Sequence, residues 1–229
     1  MGKPSPDGRI VFISISMSNA TQEFSRFKEL ADRAPEKSKH VSIVDCAQGG
    51  QAMAEWTSPD AWPWKVALQH LAAADVTPQQ IQVAWVKLAN KSLGGSLQEH
   101  GKKLEADTLK VLHNAKQKFP NLRVVYLGSR LWAGNASSRL NPEPYAYESA
   151  FVVRWLIEKQ KDDTALLLWG PYLWAEGEKG RKADFLIWER KDFAADGVHP
   201  SNSGRQKVAE QLLDFVIKNP LAKPWFTAQ

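Results

Sequence analysis

Five short, β-branched apolar runs recur along the chain: RIVFISIS (9–16), VSIVDCA (41–47), IQVAWVKLAN (81–90), LRVVYLG (122–128) and TALLLWG (164–170). Segments with helical spacing separate them: FSRFKELADRA, WKVALQHLAAA, a longer one through Leu104, Leu112, Ala115 and Phe119, and SAFVVRWLIEK. Near-continuous apolar strands are buried on both faces, and strands joined through helices run parallel with right-handed crossovers. The alternation therefore predicts an α/β fold, a three-layer α/β/α sandwich around a central, mostly parallel five-stranded sheet. No long polar tract or charge block divides the 229 residues, so 1–229 reads as a single domain.

Sheets of this kind carry their ligand sites at the carboxyl ends of the strands. The polar clusters fall there: Ser18 and Asn19 after the first run, Gly49 and Gly50 after the second, Asn90 after the third, Ser129 and Arg130 after the fourth. Residues 129–148 form a loop by their Gly, Asn, Ser and Pro content, long enough to expect a functional role. In the last segment, DGVHPSNSGRQKVAEQLLDF (196–215), Asp196 and His199 stand just ahead of Pro200. A helix follows, with Val208, Leu212, Phe215 and Val216 as its apolar face. Ser203-x-x-Gln206 in this segment and Asn19-x-x-Gln22 near the start read as capping boxes.

Pro200 restricts His199 to extended backbone, which pins the imidazole. A carboxylate three residues earlier can accept the Nδ1 proton and leave Nε2 as a general base. Ser18 is the candidate nucleophile for that base. Donors for an oxyanion are the N–H of Ser18, the N–H of Gly49 or Gly50, and the side-chain amide of Asn90. Gly49 is preferred of the two glycines because it lies nearer the strand end. Each piece alone has a plainer reading as a cap or a turn; their order along the chain carries the inference.

That order resembles the SGNH hydrolases, or GDSL esterase/lipase family. SMSN (16–19) stands for the nucleophile block, AQGGQ (47–51) for the glycine block, VKLAN (86–90) for the asparagine block and DGVHP (196–200) for the acid and base. SMSN is closer to the G-x-S-N form of carbohydrate acetylesterases than to GDSL itself. The resemblance implies a flavodoxin-like fold and metal-independent ester hydrolysis through an acyl-serine, with Ser18, His199 and Asp196 in the catalytic roles. The sequence also departs from the pattern. Ser16 replaces a glycine, and Leu88 and Lys91 stand where the asparagine block has glycine and aspartate. Lys87, at the strand end, is the alternative to Asn90 as an oxyanion donor, or a contact for an acidic substrate. No G-x-S-x-G elbow is present, which argues against the α/β-hydrolases.

The remaining chemistry is narrowed by what surrounds these blocks. Apolar residues make up 43% of the chain and charged ones 24%, against disorder, and no apolar run reaches the roughly 18 residues of a spanning helix. MGKPSPDGRI lacks the apolar region of a signal peptide; a mature exported bacterial protein would begin the same way, so compartment stays open, as does oligomeric state. The single Cys46 reads as a small core residue. The +5 balance is scattered, as in HGKKLEADTLK, and reads as a solvated surface rather than a nucleic-acid stripe. His40, His70, His100 and His113 lack partners at metal-like spacing, and neither a metal nor another cofactor is expected. Trp56, Trp62 and Trp64, in a proline-broken polar segment, offer an aromatic wall for a ligand. The expectation is a serine esterase acting on a small-molecule or glycan ester, with a short and in the first place acetyl acyl group. The alternatives are a lipid-type esterase and a non-catalytic carbohydrate-binding relative.

Overall fold

The computed structural model describes residues 8–91, 94–160 and 165–228; the chain start read above for targeting (1–7) and Thr164 of the fifth run lie outside them. All five runs form strands: β1 (Ile10–Ser16), β2 (Val41–Val44), β3 (Ile81–Lys87), β4 (Val124–Leu127) and β5 (Leu166–Trp169). They pair in the order β2-β1-β3-β4-β5, every neighbour parallel. Side chains alternate across the pleat: Val11, Ile13 and Ile15 of β1 enter one core, Phe12 the other. On β4, Val125 and Leu127 go one way and Tyr126 the other.

The first face is covered by α2 (Met53–Trp56), α3 (Trp62–Ala73), α4 (Leu97–Lys118) and α5 (Tyr145–Glu158). The second is covered by α1 (Ser18–Ala31), α6 (Asn202–Lys218) and α7 (Lys223–Phe226). Phe24 and Phe27 of α1 and Val208, Leu212 and Val216 of α6 are all buried there, each contributing about 1.5–3 kcal/mol of apolar transfer. Phe24 also stacks on Trp85 of β3, with centroids 5.7 Å apart. The protein is thus an α/β/α sandwich. Among the described residues no helix is long and apolar enough to cross a membrane.

Three local readings change. Trp56 and Trp64 pack edge to face in the core, and their indole N–H groups donate to the carbonyls of Gln51 and Trp56. With those donors satisfied the rings bury at no polar cost, so they form no ligand wall, and Trp62 alone of the three is exposed. Neither capping box forms at its expected place. α1 starts after Met17 without a side-chain cap, because Asn19 is turned elsewhere, and α6 is capped by Ser201. Ser203 is drawn away by buried Asp192, whose carboxylate it shares with Lys207. Strands also stop earlier than the apolar runs. β2 ends where the Asp45 carboxylate collects the hydroxyls of Ser14, Thr21 and Ser25.

Strand order reverses direction between β1 and β3, since β2 lies to one side of that pair and β4 and β5 to the other. The chain therefore leaves the two strands toward opposite sides and opens a crevice at their carboxyl ends.

Candidate active site

Ser18 is the first residue of α1 and follows β1 after Met17. A parallel bridge between Met17 and Gln48 sets the start of α1 beside the loop after β2. Ser16, where the motif that SMSN resembles carries glycine, is buried and donates its hydroxyl to the carbonyl of Lys87 across the β1–β3 pair. The extra side chain is thereby absorbed in the sheet seam.

His199 arrives from the far end of the chain, 181 residues later, and its Nε2 lies 2.9 Å from Ser18 Oγ. Its Nδ1 is 2.5 Å from Asp196 Oδ2, while Asp196 Oδ1 accepts the backbone N–H groups of Val198 and His199, each at 3.0 Å. Burial pulls the Asp196 carboxyl upward, but the imidazole and those two N–H groups outweigh it and hold it below the usual carboxylate range. The loop is clamped from outside as well. Asn19 Nδ2 donates to Val198 O at 2.8 Å, and Ala194 N–H to His199 O at 2.8 Å. A hydroxyl bonded to an imidazole that is itself bonded to a carboxylate is the arrangement that turns serine into a nucleophile.

Ser18 and His199 open onto a cavity of about 320 Å³, also lined by Gly50, Asn90, Arg130, Asn141 and Val198. Gly50 lines it and Gly49 does not, a change from the preference for the residue nearer the strand end. Gln51 N–H closes a turn onto Gln48 O, and Gly50 takes the positive φ (+77°) of that turn, which swings its backbone toward the cavity. Asn90 is buried after β3, held through Ala89 O to Met53 N–H and through its own carbonyl to Asn141 Nδ2. Both atoms of its side-chain amide are without a partner among the described residues.

Lys87 does not reach the cavity. Its ammonium is fully buried and pairs with Glu23 of α1. Desolvation lowers its pKa to about 8, with Glu23 resisting the fall and Arg130 adding to it. Lys91 stands at the cavity mouth, ion-paired to Glu55, and Leu88 is core. Arg130, placed on the rim by the sequence but given no task there, is buried and lines the same cavity. The signal for it was its position directly beyond β4. Among the described residues no group of three or more His, Cys, Asp or Glu side chains is placed to hold a metal.

No protein-family model matches the sequence, and no curated protein is significantly similar to it. Solved structures are similar in fold. A protein from Bacteroides fragilis described as a candidate acylhydrolase superposes with a TM-score of 0.53 at 13% identity, covering 96% of this chain and 91% of that one. A Streptococcus pneumonia protein whose name refers to platelet activating factor gives 0.55 at 14% identity, over 91% and 83% of the two chains. A GDSL-like lipase from Bacteroides thetaiotaomicron gives 0.49 at 11% identity, over 95% and 92%. At such identities the likeness is one of architecture: the chain shares the α/β/α fold of the first two of these proteins.

Proposed function

We propose that the protein is a serine hydrolase of short-chain carboxylic esters. The observation that carries this reading is the unbroken Ser18–His199–Asp196 hydrogen-bond chain at the wall of a small cavity. Ser18 Oγ attacks the ester carbonyl while His199 Nε2 takes its proton, and Asp196 stabilises the imidazolium formed. The negative oxygen is received by the N–H groups of Ser18 and Gly50 and by the amide of Asn90, which has no competing partner among the described residues. As the carbon–oxygen bond breaks, the imidazolium returns the proton to the leaving alcohol. Water, deprotonated by the same imidazole, then attacks the acyl-serine and releases the acid and the serine.

A short acyl group suits a cavity of this volume with Ala52, Ala89, Leu140 and Val198 in its wall. An acetyl ester on a carbohydrate remains the leading natural substrate on the strength of the SMSN block; the buried tryptophans add nothing to it. Hydrolysis of p-nitrophenyl acetate and labelling by a fluorophosphonate test the reading. Ser18→Ala is expected to lower kcat by at least about 10³-fold and to abolish labelling. Turnover unchanged in that variant, or a label mapped to another residue, would overturn it.

A further inference from the structure

Arg130 is only 4% exposed, yet its guanidinium makes no hydrogen bond or ion pair with any described residue, and Nε and Nη1 are shut off from solvent. Its backbone N–H is satisfied by Ser149 Oγ, so the side chain alone is left over. Neither neighbouring carboxylate hydrogen-bonds the guanidinium. Glu23 is tied to Lys87 through one oxygen while its other oxygen has no hydrogen-bond partner among the described residues, and Glu143 accepts from the N–H of Ala133, the indole of Trp174 and the N–H of Tyr147. Glu23 and Glu143 together balance the charges of Lys87 and Arg130, so what Arg130 keeps free beneath the cavity is its guanidinium N–H donors rather than a net charge. Among the described residues the cavity wall holds no Asp or Glu, and Lys91 at its mouth is the second cation there.

Burial lowers the pKa of Arg130, against the pull of Glu23 and Glu143, but a guanidinium stays charged in a protein. Buried guanidinium N–H groups without acceptors are costly, and an anion in the cavity supplies an acceptor. With Nε and Nη1 closed off, Nη2 is the guanidinium nitrogen left to meet an oxygen of a carboxylate or phosphate. Of the unpartnered amide atoms at the same wall, Asn90 Nδ2 can donate to such an anion, whereas Asn90 Oδ1 and Asn141 Oδ1 only accept.

We propose that Arg130 is a specificity residue: the ester cleaved at Ser18 carries an anionic carboxylate or phosphate group, and Arg130 binds it inside the cavity. The inference rests on the esterase reading and names its substrate class. A guanidinium serving only the transient oxyanion would matter equally for neutral and charged esters, which gives the test its contrast.

Matched pairs place the anion on either side of the scissile bond. Phenyl acetate is compared with 4-acetoxybenzoate and 4-acetoxyphenyl phosphate, and phenyl butyrate with monophenyl succinate. The wild type is expected to favour an anionic member by at least about tenfold in kcat/KM, with carboxylate and phosphate told apart by which probe gains. In Arg130→Met that ratio is expected to fall toward one, chiefly through KM, with Arg130→Lys intermediate because it keeps the charge and loses the planar guanidinium. A wild type without preference in any pair, or an Arg130→Met that slows neutral and anionic esters alike, overturns the proposal. If Arg130→Met does not fold, the wild-type ratios decide. If no ester is turned over at all, the esterase reading fails and calorimetry takes over: monoethyl succinate binding where diethyl succinate does not supports the anion site, and equal or absent binding overturns it.

Discussion

Gly197 shows how tightly the His199 loop is set. It sits between Asp196 and Val198 at φ +68°, and a Cβ there would come within 1.9 Å of the Asn135 carbonyl oxygen. That contact is with backbone, so it is relieved only by moving one loop off the other. Left-handed strain adds on the order of 1–3 kcal/mol. Gly197→Ala is therefore expected to lower the melting temperature and, by displacing Asp196 and His199, to cut kcat/KM by about 10²-fold. Wild-type turnover with a wild-type melt would show that the loop is not held there. Asp196, His199 and Pro200 were legible because they are neighbours in sequence, where a local rule relates carboxylate, imidazole and restricted backbone. Asn19 was not. Its amide reaches Val198 O from 179 positions away, so no local pattern separates that tether from a cap. Arg130 was visible as a rim residue, but its lack of a partner is a property of the folded interior.

Among the elements, the junction at the end of β2 is the most informative. Asp45 gathers Ser14 of β1 and Thr21 and Ser25 of α1, fastening the end of β2 to both, α1 being the helix that carries Ser18. Desolvation raises its pKa above 3.8 even against those hydrogen bonds. As pH rises from 3.8 through the raised folded value, the unfolded chain gives up the Asp45 proton before the folded one does. Folding then binds the extra proton, and its stability falls across that window. Asp45→Asn has no such titration. The stability of the wild type relative to Asp45→Asn, from urea unfolding at a series of pH values, is expected to drop through the window and level off above it. A relative gain across the same range would contradict the raised pKa. The strands themselves were legible as apolar runs, whereas their ends were not, because Asp45 stops β2 through tertiary hydrogen bonds. The caps misled for the same reason: Ser203 spaced from Gln206 looks local, yet buried Asp192 outbids the helix end for its hydroxyl.

At the scale of the whole molecule, the alternation of runs was enough to specify a parallel sheet between two helical layers, because connection rules leave few other arrangements. Which strands flank the crevice was not in that pattern; it follows from the order β2-β1-β3-β4-β5. Packing of α6 on α1 then decides that the last segment closes beside the first. Leu212 of α6 is 1% exposed in that layer, in the core shared with Phe24 and Phe27, and belongs to neither the loop nor the cavity. Truncating it leaves the loop's own hydrogen bonds untouched, including Asn19 to Val198 O and Ala194 to His199 O. Leu212→Ala is expected to cost about 2–5 kcal/mol of stability, a melting shift of roughly 5–20 °C for a chain of this size. Turnover at 25 °C in the folded variant is expected to stay within about threefold of wild type, because the loop geometry that sets the rate is anchored elsewhere. Activity and circular dichroism followed on one heating ramp should then fall together. A collapse of activity well below the melt would mean instead that α6 holds His199 in place through Leu212 itself.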